Sequence, residues 1–396
     1  MLALPNGEDL WGAFASREGV LVTVEKIVPS EVLKRYSGLV KIPAYLVRSI
    51  SEVPLGLHPY SFPNPGIDDF DSYEKDIEFL DEFRAASKRS DLLDEWIKAW
   101  VLDCPSPRAY LDKLGQARIA ALKTPPKAAQ TRVYPSPPAP QDAKEAPTEE
   151  MMLVAVAREI VRSVRKSGHK TILAGAGLGA MAAFLAYSQL REDGIEIDLV
   201  TGNGQVGYTP IPGESILASD AGLRSSKMLV DTVMTQGVLV GGANNKCLSV
   251  LGAGQIDAFG NINSSRTAAG EFLVGSGGAN DALNAREVIV ALKQSTDRFV
   301  EKLAYVTGRG HNVTTVVSTM GVFRKPNATQ ALQLVGCFQN LKSADHAAQI
   351  EEIRGECGWP LQSGPDVEAI PAPTREEIDL LRWLQARPGD TAGRAS

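Results

Sequence analysis

Two glycine-rich segments near the middle of the chain have the residue types best suited to binding an anion or a carbonyl oxygen. The first, residues 252–263, is a short apolar run that leads into a polar turn. The second, residues 275–281, follows another apolar run at 272–274. Glycine is used this densely where the backbone needs a positive φ or where a ligand must approach the main chain. A row of free N–H groups after a strand can hold an anion or a developing oxyanion.

A third glycine-rich segment contains Gly175, Gly177 and Gly179. It follows an expected strand at residues 170–174 and opens an expected helix that runs to Leu190. This order places backbone N–H groups at a helix N-terminus, which suits a phosphate or a carboxylate. A Rossmann nucleotide site is the alternative, but the third glycine has the wrong spacing for G-x-G-x-x-G. We therefore favour an anion-binding loop without a dinucleotide.

The amino-acid sequence of the two central segments resembles that of the B-type subunit of class I CoA-transferases, of the glutaconate CoA-transferase kind. Residues 252–263 match that family's G-x-x-Q-[IV]-D-x-[FY]-G-N-[IV]-N pattern, and residues 275–280 match its G-S-G-G-A-N loop. The resemblance implies an α/β fold with an open CoA-transferase-like sheet and an acyl-CoA thioester as substrate. It also implies contact with the CoA thioester or its oxyanion at Gly275, Ser276, Gly277, Gly278, Ala279, Asn280, Gly175 and Gly177. Four polar residues are expected to support these loops: Gln255, Asp257, Asn261 and Asn263.

The nucleophile of this family is absent from its expected place. A class I CoA-transferase attacks the thioester with a glutamate that ends the second strand of its B-type chain. The matching positions here are Thr201, Gly202 and Asn203, and none of them carries a carboxylate. Glu214, in the loop that follows, is a weak substitute, because a solvated loop acid is the simpler interpretation.

The resemblance therefore leaves three functions open. The leading hypothesis is CoA transfer between carboxylic acids, with a dicarboxylic or ring-derived acyl group. The first alternative is the chemistry of family members that lack the glutamate, namely acyl-CoA hydrolysis, C–C bond cleavage or decarboxylation. The second alternative is a non-catalytic protein that completes a partner's site.

Other polar residues have a structural interpretation beside the functional one. His58 matches a position of the family, but a histidine in a proline-rich turn more often caps backbone. His169 and His311 are placed at a helix–strand junction and in a loop, where catalysis is not favoured. Asn244 and Asn245 are candidates for binding polar groups of the substrate, and an ordinary turn explains them equally well.

Composition excludes several other classes. The chain has 396 residues and a net charge of −6, with no long basic run, which argues against nucleic acid. The first residues do not form a signal peptide, and no apolar run reaches the length that spans a membrane. The four cysteines are scattered, which predicts free thiols, no metal site and a cytoplasmic protein.

The expected domain order is an A-type segment at residues 1–123, a Pro/Ala-rich linker at 124–150, a B-type domain at 151–330, and a C-terminal extension and tail at 331–396. The first of these rests on residues 22–28 (VTVEKIV) and 53–59 (VPLGLHP), which resemble the last part of an A-type CoA-transferase chain. The resemblance implies that a second subunit, or another copy in a homo-oligomer, supplies the N-terminal half of the A-type module. The linker composition predicts an extended segment that is cut first by proteases.

Hydrophobic patterning predicts the elements that position the glycine loops. Strands are expected at residues 19–28, 44–47, 170–174, 195–200, 238–240, 247–251, 272–274, 302–307 and 313–318. Residues 69–100 are expected to form two helices separated at 88–90, and residues 152–164 a further helix. Between residues 281 and 292 the pattern fits a helix at the start and a strand at 288–292.

Overall fold

A computed structural model describes residues 9–64, 66–124, 146–175, 177–210, 212, 220–339, 341 and 345–386. The chain divides into two compact units, Met1–Tyr134 with Ser219–Arg224, and Pro135–Ala218 with Ser225–Ser396. This division falls within the stretch that we expect to be a linker, of which residues 125–145 lie outside the described part. Residues 148–150, which we also expect to belong to the linker, form the first turn of a long helix instead.

The first unit is a small α/β module. Its helices are α1 (Asp9–Ala15), α2 (Ser30–Arg35), α3 (Ile77–Ala86), α4 (Ser90–Ile97), α5 (Pro107–Leu114) and α6 (Gln116–Leu122). Its strands form two pairs, β1 (Val20–Val24) parallel to β2 (Val47–Glu52), and β3 (Ser72–Tyr73) antiparallel to β4 (Lys123–Thr124). The two helices expected between residues 69 and 100 are present as α3 and α4. Residues 44–46 form a 3₁₀ turn rather than the expected strand, which begins at Val47.

The core of the first unit is built around Phe79, which is 3% exposed. Its ring makes edge-on contacts with Trp96, Trp100 and His58. Edge-to-face pairs of this kind add stability beyond the apolar area that they bury. Asp76 begins α3, because its carboxylate accepts a hydrogen bond of 2.9 Å from the amide of Phe79.

The described part of the second unit contains a ten-stranded mixed sheet. Its strands are β5 (Thr171–Ala174), β6 (Asp198–Val200), β7 (Gln205–Val206), β8 (Met228–Leu229), β9 (Cys247–Gly252), β12 (Glu287–Leu292), β13 (Val313–Ser318), β14 (Gly321–Arg324), β15 (Gln333–Phe338) and β16 (Gln362–Ile370). Their order is β16-β15-β14-β13-β12-β9-β5-β6-β7-β8. The central run from β6 through β5, β9 and β12 to β13 is parallel. The expected α/β fold with an open sheet is confirmed.

The remaining elements of the second unit cover this sheet or connect its strands. The helices are α7 (Thr148–Ser167), α8 (Leu178–Glu192), α10 (Ala279–Ala282), α11 (His346–Gly355) and α12 (Arg375–Gln385). The short helix α9 (Asp220–Ser225) belongs to the first unit as far as Arg224. The strands β10 (Gln255–Ile256) and β11 (Ile262–Asn263) form a separate hairpin. Residues Val233–Val240 wind as a π-helix.

Alternate residues of the central strands enter two different hydrophobic clusters. Ile172, Val250 and Ile289 pack with α7, α8 and α12, whereas Leu173 and Val290 pack on the other side. This alternation follows from the two-residue period of a strand, and it buries both faces of the sheet. The second cluster also contains Val240, Ala282 and Leu283, so the π-helix and α10 are fixed to the sheet by apolar contacts.

Three expected strands are wrong, because their apolar residues are not paired in a ladder. Residues 238–240 belong to the π-helix, in which Val238 is 53% exposed and only Val240 is buried. Residues 272–274 are mostly exposed and form one isolated bridge, between Arg266 and Phe272. Residues 302–307 form bends and irregular backbone. After residue 330, in the stretch 331–396 that we expect to be a C-terminal extension and tail, β15 and β16 continue the same sheet and α12 packs against α7 and α8.

Candidate functional site

The segment 252–263 folds as a hairpin held by its own polar side chains. The Asp257 carboxylate accepts hydrogen bonds from the amides of Phe259 and Asn261, at 2.9 and 3.0 Å. Gly260 closes this turn at φ +76°, a conformation that other residues rarely adopt. Asn261 accepts a hydrogen bond from the Gly310 amide at 3.0 Å, which ties the turn to a neighbouring loop.

The same hairpin positions the second glycine segment. Asn263 donates to Gln255 Oε1 at 2.9 Å and accepts from the Ser265 amide at 3.1 Å. The carbonyl of Ser264 then accepts hydrogen bonds from the amides of Val274 and Gly275, at 3.0 and 2.9 Å. The polar residues of the first motif therefore hold the backbone from which the glycine loop leaves.

The glycine loop presents backbone donors without protein partners. Gly275, Gly277 and Gly278 have φ values of +93°, +52° and +82°. Within the described chain, the amides of Ser276, Gly277 and Gly278 donate to no other residue. Ser276 and Gly277 are exposed and Gly278 is half-buried. Three successive free N–H groups are suited to a carbonyl oxygen that gains negative charge. Ala279 is different, because its amide donates to the Ser276 carbonyl at 2.8 Å.

The expected nucleophile position is a tight turn at the end of β6. The Thr201 hydroxyl donates to Asn203 Oδ1 at 2.5 Å and accepts from the Gln205 amide at 3.0 Å. The Gly202 carbonyl accepts a hydrogen bond from Thr232 Oγ1 at 2.9 Å. The turn contains no carboxylate, and Glu214 lies outside the described residues.

Gln236, a residue that the sequence analysis missed, lies against this turn. A β-carbon built on Gly202 would lie 2.6 Å from Gln236 Nε2, and one built on Gly278 would lie 3.4 Å from the same atom. Gln236 Oε1 is buried and has no hydrogen-bond partner among the described residues. The Gln236 side chain therefore lies close to both the expected nucleophile position and the glycine loop. A single glutamine in an apolar run gives no sequence signal of such a role.

The glycines after β5 have mainly a packing role. The Gly175 amide donates to the Val250 carbonyl at 2.9 Å, so it is not free to donate to a ligand, and the expected contact of Gly175 with CoA stays a prediction. A β-carbon on Gly175 or Gly179 would lie 2.6 or 3.0 Å from the same carbonyl. These two glycines let the loop and α8 approach β9. Gly177 has φ +75° and open space around it, so it stays a candidate.

Two of the candidate histidines belong to buried polar networks. His58 contacts the Tyr110 hydroxyl at 2.6 Å and the Asp76 carboxylate at 3.1 Å, and its burial lowers its pKa. His169 contacts Glu287 at 3.0 Å. Burial raises the pKa of Glu287, but hydrogen bonds from His169 and Thr314 outweigh this and lower it to about 2. Both histidines bind side chains of the protein itself, whereas the sequence suggested that His58 caps backbone.

The remaining candidates add no chemistry to the site. His311 is exposed in a loop. Asn245 accepts hydrogen bonds from the amides of Arg286 and Cys247 and donates to the Gly242 carbonyl, which is a turn-forming role. Asn244 is exposed beside it. In the part of the chain that is described, no group of three His, Cys, Asp or Glu residues is placed to hold a metal ion. No helix there is long and apolar enough to cross a membrane.

A surface cavity of about 540 Å³ lies elsewhere, along α7. It is lined by Arg158, Val161, Arg162, Arg165, Lys166 and Gln189. Three of its arginines are already paired, with Glu377, Glu159 and Asp193. None of the glycine loops lines this cavity, so we do not assign the site to it. We place the candidate site at Gly202, Gln236 and the loop 275–280, where the free amides and the unpartnered glutamine lie.

Comparison with known proteins gives relatives of one kind. No family model matches the sequence. The chain is 31% identical over 266 residues to the B-type subunit of 3-oxoadipate CoA-transferase from Pseudomonas knackmussii, a match that covers 61% of this chain and 94% of that protein. It is 31% identical over 106 residues to the A-type subunit of glutaconate CoA-transferase from Acidaminococcus fermentans, which covers 27% of this chain and 31% of that protein.

The fold is similar to a solved structure of the same kind of protein. The crystal structure of glutaconate CoA-transferase from Acidaminococcus fermentans superposes with a TM-score of 0.53 at 19% identity. The superposition covers 62% of this chain and 100% of that one. At this identity the likeness concerns the fold alone.

Proposed function

Since this chain belongs to the class I CoA-transferase family, we propose that it binds an acyl-CoA thioester in its second unit and transfers CoA between carboxylic acids. The observation that carries the proposal is the row of unpartnered amides at Ser276, Gly277 and Gly278 in the described chain. Donors that are fixed in position before the reaction stabilise an oxyanion at no cost of rearrangement. The thioester carbonyl is the group of an acyl-CoA that gains negative charge when it is attacked.

Transfer in this family needs a carboxylate nucleophile. The carboxylate attacks the thioester carbon, the C–S bond breaks, and an acyl anhydride forms with release of CoA thiolate. The thiolate then attacks the enzyme's half of the anhydride, which gives an enzyme–CoA thioester and frees the first acid. Because Gly202 has no side chain, the carboxylate in this protein has to come from Glu214 or from a partner chain.

A second candidate function is hydrolysis, C–C cleavage or decarboxylation of a CoA thioester without a glutamate. The pair Gly202 and Gln236 favours it. An amide packed over a glycine leaves no nucleophile in that place, as in family members that hydrolyse, cleave or decarboxylate CoA thioesters without a glutamate. The glycine loop would serve the same purpose there, since the carbonyl still gains negative charge. A non-catalytic role in a larger assembly is the third candidate.

We also propose that the protein works in an assembly. The match to the A-type subunit covers 31% of that subunit's length. The match to the B-type subunit covers 94% of that subunit's length. A second polypeptide, or a homo-oligomer, that supplies the rest of an A-type module would complete the site. We propose a cytoplasmic location, a CoA thioester as substrate rather than a resident cofactor, and no metal, nucleic acid or membrane as partner.

Trapping of the enzyme–CoA thioester tests these functions against one another. Borohydride reduces such a thioester and hydroxylamine cleaves it, so both inactivate only enzyme that has met acyl-CoA. We expect no modified residue between 201 and 207 in the wild type. Transfer with a modified Glu214 supports the proposed mechanism, and Glu214→Gln should then abolish transfer while Glu196→Gln, a change of an exposed acid between α8 and β6, should not.

Two outcomes would contradict CoA transfer. Consumption of acyl-CoA without transfer of CoA to an acceptor acid, and with no modified residue, would establish the glutamate-independent chemistry. No turnover, even with an A-type partner protein present, would leave only the non-catalytic role.

A further inference from the structure

We propose that the side-chain amide of Gln236 contacts the thioester of bound acyl-CoA, in the space that a nucleophilic side chain at position 202 would occupy. The inference rests on the proposed function, because it concerns the same site. It assigns a substrate-binding role to a residue outside the glycine motifs.

The first argument is steric. A β-carbon at position 202 would lie 2.6 Å from Gln236 Nε2, closer than side-chain contacts allow. Gly202 does not have a positive φ, so its backbone would accept another residue. The space over Gly202 is therefore taken by Gln236, and the two residues are complementary in size.

The second argument is the state of the amide itself. Gln236 Oε1 is buried and is left without a hydrogen-bond partner in the described chain. A buried polar atom in this state is costly unless a ligand or a water satisfies it. Nε2 of the same amide approaches Gly278, the last of the three residues with free amides. The Nε2 end of the amide thus lies beside the oxyanion donors, and the buried Oε1 is left to accept from a water or from an acid hydroxyl of the ligand.

The third argument is that the segment carrying Gln236 is held firmly. The Asp231 carboxylate accepts a hydrogen bond from the Met234 amide at 2.8 Å, and the Thr235 hydroxyl donates to the Asp231 carbonyl at 3.0 Å. Thr232 ties the start of the π-helix to the Gly202 carbonyl. π-Helical turns are irregular and often occur at functional sites. The backbone that carries Gln236 therefore has a fixed position relative to the turn at 202.

The chemistry of a carboxamide fits binding and not covalent catalysis. Its N–H donates to a carbonyl oxygen and its C=O accepts from a water or an acid hydroxyl, at any pH. It forms no anhydride. With Gln236 in place, the thioester carbonyl receives donors from the glycine loop and from Nε2.

A double-mutant cycle tests this contact. Acetyl-CoA, glutaryl-CoA and benzoyl-CoA are titrated calorimetrically into the wild type, and the tightest ligand is compared with free CoA. Gln236→Ala should weaken binding of the acyl-CoA at least tenfold and leave free CoA within twofold, because free CoA has no thioester carbonyl. Gly202→Ala should give the same loss, since its methyl group displaces the amide. The double variant should lose no more than either single variant.

The outcomes separate the inference from the function on which it rests. Gln330→Ala, an exposed glutamine of the same unit, serves as the control and should bind like the wild type. Unchanged acyl-CoA binding in Gln236→Ala, or additive losses in the double variant, would overturn the inference alone. A wild type that binds none of the three acyl-CoA ligands would overturn the proposed function as well.

A gain of reactivity covers the case in which the single variants fold poorly. Gly202→Glu alone should give no borohydride-trapped adduct, because Gln236 blocks the new side chain. Gly202→Glu combined with Gln236→Ala should give an adduct that maps to position 202. An adduct of equal yield in both proteins would show that Gln236 does not occupy the nucleophile's space.

Discussion

Replacing Gly277 with valine is expected to weaken acyl-CoA binding by at least a hundredfold. Gly277 has φ +52°, and a β-branched residue is strained there, so the loop must change conformation. No atom lies within 4 Å of the added β-carbon, so the change does not disturb the core. The loss of two or three aligned hydrogen bonds accounts for the size of the effect, because each contributes about 1 kcal/mol and about 1.4 kcal/mol is tenfold in affinity.

Gly194→Val is a matched control for this experiment. Gly194 lies between α8 and β6, has φ +73°, and also has open space around it. Both variants carry the same kind of backbone strain, and only Gly277 belongs to the proposed site. Calorimetry with the same acyl-CoA should show a loss for Gly277→Val alone. Equal affinities in the two variants would mean that the loop does not bind the thioester.

Asp76→Asn is expected to destabilise the first unit by about 3 kcal/mol at neutral pH, because it breaks a buried ion pair. The Asp76 side chain is 4% exposed and accepts two hydrogen bonds from Arg118, at 2.6 and 2.8 Å. Removing one partner of a buried ion pair leaves the other charge uncompensated, which costs about 3–5 kcal/mol. We expect the lower end of this range because Arg118 is 25% exposed and keeps some contact with water.

The effect of Asp76→Asn should depend on pH. Burial raises the pKa of Asp76, but the hydrogen bonds from Arg118, the Phe79 amide and His58 outweigh it and lower the pKa from 3.8 to about 2. A lowered folded-state pKa means that the carboxylate stabilises the fold above about pH 4 and that this contribution is lost as the pH falls towards about 2. The difference between wild type and variant should therefore shrink over that interval.

Urea unfolding, followed by amide protection in Ile77–Ala86, measures this difference. Asp71→Asn is the control, because Asp71 forms an exposed pair with Lys123 at 3.0 Å. Exposed pairs contribute less than about 1 kcal/mol. A loss for Asp76→Asn no larger than that of Asp71→Asn would contradict the role given to the buried network.

Local patterns predicted the parallel centre of the sheet in the second unit. The strands at 170–174, 247–251 and 313–318 are present within a residue or two, because apolar residues flanked by glycine or polar turns give a strong local signal. The glycine motifs were also visible, since their φ values leave little choice of residue. These features depend on neighbours in the chain.

The features that sequence could not predict depend on distant contacts. Gln236 gains its position from Gly202 and Gly278, which are 34 and 42 residues away in the chain. The run 233–240 has the apolar residues of a strand, yet it packs as a π-helix because α10 and the sheet bury only one side of it. His58, Asp76 and Arg118 come from separate parts of the first unit. No local rule brings such groups together.

Hydrogen exchange of the wild-type protein, with and without the tightest-binding acyl-CoA, tests the central claim most directly. The free amides of Ser276, Gly277 and Gly278 should exchange quickly in the unliganded protein. Acyl-CoA should slow exchange in peptides covering 272–283 and 232–241 at least tenfold and leave β13 unchanged. Protection confined to other parts of the chain, with residues 275–280 exchanging at their free rate, would contradict an acyl-CoA site at this loop.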